Sequence, residues 1–151
     1  NIHYIHVLRH GLDMAFSRKV KQLYMYGDMY DTDFPKNIQL LPRHQLQFWI
    51  KTNNSTLNLG KQLIPERFYM LSYDNLCKNP AAEIRQLAEF LQIKLTAEIL
   101  HLACHIPRVS SSSGRFSKMA YPYFSESQIR AVEDLKTRIN HGAGKPNHLL
   151  S

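Results

Sequence analysis

The sequence predicts a three-layer α/β fold, a parallel sheet flanked by helices. Two observations carry that expectation: twice an apolar, strand-like run feeds a turn and then an amphipathic helix, and 151 residues with 44% hydrophobic content suffice for one core. The first strand is Ile2 to Leu8, where Ile2, Tyr4 and Val7 alternate among His3 and His6 until charge at Arg9 and flexibility at Gly11 end the run. From Leu12, the residues Ala15, Phe16, Val20, Leu23 and Tyr24 recur at three- and four-residue steps, giving a helix with one buried stripe. Asp13 falls in its first turn, where a carboxylate suits the positive end of the helix dipole. A guanidinium at the mouth of such a turn can grip a phosphate through paired hydrogen bonds, with the Ser17 hydroxyl and backbone amides completing the shell. On this stretch alone, a surface ion pair is the stronger explanation of Arg9.

Tyr24 to Pro42, rich in Tyr, Met, Asp and Pro, has little periodicity and reads as irregular, whereas Arg43 to Leu59 forms an amphipathic helix through Leu46, Trp49, Ile50 and Leu57. The second strand, Arg67 to Ser72, leads through Tyr73, Asp74, Asn75 and Leu76 into a helix from Ala81 to Leu91, with Asn79 as N-cap and Pro80 at its first position. Ser110 to Ser113 with Gly114, Arg115 and Phe116 make a small-residue loop whose amides can approach an anion and whose arginine can close on it, although such loops are more often merely flexible. The last helix opens on the capping-box pattern Ser125-Glu-Ser-Gln128 and buries Ile129, Val132, Leu135 and Ile139. Residues 1–140 read as part of one domain and 141–151, with two glycines and a proline, as a flexible tail.

Taken together, Arg9, Asp13 and Ser17 at the strand-to-helix junction, the Ser72-Tyr-Asp-Asn-Leu76 segment before its helix, and the late Ser113-Gly-Arg-Phe116 loop resemble the sulfotransferases that use 3′-phosphoadenosine 5′-phosphosulfate (PAPS). The chain departs from that family in having Gly11 where a proline is usual and Asn75 in place of a second acid. The resemblance spans Ile2 to Leu135 and implies a P-loop-like sulfotransferase fold that is incomplete here. It further implies cofactor binding by Arg9 and Ser17 at the 3′-phosphate, Tyr73 beside the adenine, and Ser113, Gly114 and Arg115 folding over the nucleotide. Tyr26, Asp28, Tyr30 and Asp33 fall where members meet a small-molecule or carbohydrate acceptor, although loop tyrosines more often just pack. No catalytic base is assigned, and carbohydrate, lipid, steroid and peptide acceptors all stay open. No Gly-x-x-x-x-Gly-Lys stretch occurs in the sequence, so the resemblance implies a C-terminal portion of a longer enzyme, inactive alone because the donors at the leaving phosphate are missing.

A net charge of +7 suits an anionic cofactor and also nucleic acid, but the basic residues are spread among helices and no zinc finger or aromatic RNA-binding motif occurs. Nucleic acid is therefore not the expected partner. No apolar run reaches membrane-spanning length, and the N-terminal run is too short and too histidine-rich for a signal peptide. Cys77 and Cys104 read as reduced, buried thiols, which makes the cytoplasm the default compartment. His101, Cys104 and His105 share a helical face without a completing carboxylate, so packing outweighs metal binding, and no metal is expected. Two rival readings are an ATP-using P-loop kinase relative and a non-catalytic module retaining the fold.

Overall fold

The computed structural model describes residues 2–111, 113–118 and 123–142. Strand β1 (Tyr4–Leu8) is followed by helices α1 (Gly11–Ala15), α2 (Lys21–Tyr26) and α3 (Leu41–Leu63), then by strand β2 (Phe68–Ser72). Helices α4 (Tyr73–Lys78), α5 (Pro80–Phe90), α6 (Ala97–Cys104), α7 (Arg115–Lys118) and α8 (Glu126–Gly142) complete the order. The strands pair in parallel, in register from Tyr4 opposite Phe68 to Leu8 opposite Ser72. A parallel pair needs a crossover, and the helices α1 to α3 supply it.

Strand alternation decides what each face of the sheet meets. Tyr4, His6 and Leu8 share a face with Phe68 and Met70, and that face packs against α3 and α8 in a core of Leu8, Leu57, Phe68, Met70, Leu135 and Ile139. Tyr69 points the other way, onto Phe90 of α5 at 4.9 Å between ring centroids. Every apolar residue of β2 is therefore buried, whereas β1 leaves Tyr4 and Val7 exposed. A second core gathers Leu12 and Ala15 of α1, Leu46 and Ile50 of α3, and Val132 of α8. Arg138 fastens α8 to α3, donating to Asn54 Oδ1 at 2.7 Å and to Asn58 Oδ1 at 2.9 Å.

The α/β class with a parallel sheet flanked by helices is as expected, and several boundaries differ. The single helix expected from Leu12 breaks after Ala15 and resumes at Lys21, although its apolar spacing continues; Gln45 of α3 fills the gap by donating to the Ser17 carbonyl at 3.0 Å. The segment expected to be irregular contains 3-10 turns at Asp28–Tyr30 and Ile38–Leu40. The turn expected after β2 is helix α4, capped by Ser72 Oγ, which accepts from Asn75 N at 3.2 Å. Asn79 stands at the N-cap of α5 without a side-chain cap, and its backbone N–H closes α4 on the Asn75 carbonyl at 2.8 Å. The capping box of α8 forms: Ser125 Oγ accepts from Gln128 N while Gln128 Oε1 accepts from Ser125 N. Cys77 and Cys104 are free thiols, half-buried rather than buried. The expected tail overlaps α8 up to Gly142, and residues 143–151 lie outside the described residues.

Candidate functional site

The carboxyl ends of the two parallel strands lie side by side, so the residues just beyond them, Arg9 to Gly11 and Tyr73 to Asn75, meet. Ligands of open α/β sheets bind at this end of the strands. Here the two turns are tied directly, because the His10 backbone N–H donates to Asp74 Oδ2 at 2.7 Å. A cavity of about 460 Å³ opens at the junction, lined by Leu8, Arg9, His10, Asp74 and Asn75. Ser113, Gly114 and Phe116 close it from the late loop, and Val132 and Lys136 from α8.

Arg9 Nη2 donates to Ser113 Oγ at 3.3 Å, joining residues 104 positions apart. Gly114 sits at φ +74°, the left-handed region in which glycine carries no side-chain penalty. The loop is anchored by Asp13: Oδ2 accepts from Gly114 N at 2.8 Å and Oδ1 from Phe116 N at 3.2 Å. The ring of Phe116 lies flat on that of His10, with centroids 4.8 Å apart and planes 5° from parallel. Burial lowers the His10 pKa below its ordinary value of 6.5, against the opposing pull of the Asp13, Asp74 and Glu133 carboxylates, and Lys136 lowers it further. A neutral imidazole at neutral pH follows.

Of the residues expected at a nucleotide site, Arg9, Ser113 and Gly114 come together on this cavity, whereas Ser17, Tyr73 and Arg115 do not line it. Ser17 Oγ accepts from Lys19 N at 3.1 Å. Tyr73 donates its hydroxyl to the Arg108 carbonyl at 3.1 Å. Arg115 Nη1 donates to the Phe16 carbonyl at 2.9 Å, binding the loop to the end of α1. Sequence reasoning did not single out Lys78 or Lys136, two further cations on the cavity wall. Lys136 follows the core residue Leu135 on an amphipathic helix, and nothing in that periodicity marks which flanking lysine meets a cavity.

A second cavity, of about 580 Å³, shares Leu8, Arg9 and Trp49 with the first and is lined by Tyr26, Met29, Tyr30 and Phe48. Of the expected acceptor contacts it takes Tyr26 and Tyr30; Asp33 lies on a separate, smaller cavity, and Asp28 lines none of the three. Among the described residues no group of three or more His, Cys, Asp and Glu is placed to hold a metal ion, and His105 instead bonds the His101 carbonyl through Nδ1 at 2.7 Å. No described helix is long and apolar enough to cross a membrane.

Comparison with known proteins bears on this site. A family model described as the sulfotransferase family matches residues 1–97. Among solved structures, the chain is similar to the sulfotransferase domain from the curacin biosynthetic pathway, with a TM-score of 0.59 and 22% identity over 89% of this chain. That likeness concerns the fold, and the chain spans 53% of the length of that domain. Comparison with curated proteins gives no match.

Proposed function

The chain belongs to the sulfotransferase family, and from that premise we propose that it carries the 3′-phosphate and adenine half-site of an enzyme that moves a sulfuryl group from PAPS to a hydroxyl or amine acceptor. The observation that supports this most is the meeting of Arg9 and Ser113 at the carboxyl end of the sheet, beside a cavity where Arg9, Lys78 and Lys136 outnumber Asp13 and Asp74. In this reading the Arg9 guanidinium and the Ser113 hydroxyl hold the 3′-phosphate, with the Gly114 backbone close beside it. Ser17, Tyr73 and Arg115 act from outside the cavity: Ser17 ends the turn after α1, Tyr73 flanks the adenine, and Arg115 ties the loop to Phe16. In the transfer itself the acceptor oxygen or nitrogen attacks sulfur in line, the bond from sulfur to the 5′-phosphate oxygen breaks, and adenosine 3′,5′-bisphosphate leaves. The protein's part is positioning and stabilisation of the spreading negative charge.

Calorimetric titration with adenosine 3′,5′-bisphosphate beside ADP tests the half-site. Selective binding of the bisphosphate is expected, and Arg9→Ala should weaken it by roughly 2–5 kcal/mol, the cost of truncating a charge-assisted contact. An Arg9→Ala chain that binds the bisphosphate as the parent does would refute the assignment, and equal affinity for ADP would favour a kinase relative.

A further inference from the structure

Asp13, a residue only 5% exposed, stands at a cavity whose wall also carries Arg9, Lys78 and Lys136 and a second carboxylate, Asp74. By charge alone it would repel a phosphate held at Arg9. Both of its oxygens are nevertheless engaged by backbone donors of one loop, Gly114 N at 2.8 Å and Phe116 N at 3.2 Å. Ser113 immediately precedes Gly114 in the chain, and its hydroxyl is 3.3 Å from the Arg9 guanidinium. We propose that Asp13 is the positioning residue of the nucleotide site: its buried carboxylate fixes the Gly114 and Phe116 amides, and so holds the Ser113 hydroxyl and the Arg9 guanidinium on one phosphate. The inference rests on the proposed nucleotide reading and adds to it how discrimination for the 3′-phosphate arises. The Phe116 ring stacked on His10 and the Arg115 bond to Phe16 hold the same loop against α1 at two further points.

Asp13→Asn separates positioning from simple electrostatics, because the two predict opposite signs. The amide is isosteric and removes a negative charge, so charge alone makes the variant bind the bisphosphate more tightly. Loss of a two-oxygen anchor makes it bind more weakly, on the order of ten- to a hundredfold from the usual strength of hydrogen bonds to charged groups. The full chain and the variant are titrated with adenosine 3′,5′-bisphosphate and with adenosine 5′-monophosphate, and amide hydrogen exchange is followed at Gly114 and Phe116 in both. The expected result is slow exchange at these amides in the parent, fast exchange in the variant, and a preference for the bisphosphate that falls while monophosphate affinity stays the same. Fast exchange in the parent, or a variant that keeps or improves its preference, overturns the proposal. If Asp13→Asn does not fold, Asp13→Ser takes its place: it removes the two-oxygen anchor without adding bulk at a buried position, and the same fall in preference is expected. A parent chain that does not prefer the bisphosphate overturns the functional reading instead, and the exchange rates then support or overturn the Asp13 anchor by themselves.

Discussion

Tyr69 carries its hydroxyl into the interior without a hydrogen-bond partner among the described residues, although the residue is only 2% exposed. Burial, helped by the nearby Glu83 carboxylate, pushes its pKa up to about 12, and burial likewise raises that of Glu83. An unsatisfied buried hydroxyl is a cost, so its removal should relieve one, while the ring keeps its contact with Phe90. Tyr69→Phe is therefore expected to leave stability unchanged or raise it by up to about 1 kcal/mol in urea unfolding, since the penalty for leaving such a group unmade is of that order. A loss of more than about 1 kcal/mol would mean that the hydroxyl has a partner in solution and that this account of it is wrong. The continuous apolar run of β2 made Tyr69 legible as a strand residue. Whether its hydroxyl would find a partner depended on α5, which no local pattern in β2 encodes.

Helix α3 runs from Leu41 to Leu63 and delivers the chain to β2, and its last turn passes Phe68, the first residue of that strand, closely. Gly60 makes the approach possible: a Cβ placed there would run into the Phe68 ring. In an exposed helix, Gly→Ala gains up to about 1 kcal/mol, but forcing atoms into a packed contact costs about 1–3 kcal/mol. Because Gly60 is buried and Phe68 belongs to the core beneath the sheet, the steric cost should win. Gly60→Ala is expected to lose about 1–2 kcal/mol, read as a lower urea midpoint at unchanged slope. A higher midpoint would show that the ring gives way and that propensity governs the turn. At this scale most elements were legible, because β1, α3, α5 and α8 each announce themselves by a period of two or 3.6. The break after Ala15 was not, since Phe16, Val20 and Leu23 continue the helical spacing through it and the Gln45 side chain that occupies the gap comes from another element.

For the molecule as a whole, the order of motifs carried the fold class, and it brings the two turns of the candidate site together, because a strand that ends in Arg9 and a strand that ends at Ser72 must place their turns side by side once they pair in parallel. The long-range ties that build the cavity had no local signature: Arg9 with Ser113, and Asp13 with Gly114 and Phe116, join positions about a hundred residues apart. The same holds for the core. Two clusters, one beneath the sheet and one between α1, α3 and α8, are bridged by Trp49, which packs against both and lines the two larger cavities. It is the chain's single tryptophan, so its fluorescence reports the place where the two clusters join. Helices α3 and α8 also contribute to both clusters, through Leu57 and Leu135 to one and Leu46, Ile50 and Val132 to the other. Neither cluster can come apart without dislodging elements of its neighbour, and the chain should unfold in one transition, with tryptophan fluorescence and far-ultraviolet circular dichroism tracing the same curve in urea. Two separated transitions, with fluorescence changing before helix is lost, would mean that the α1 cluster opens while the sheet cluster persists, and Trp49 would then be a boundary between two units rather than the joint that makes them one.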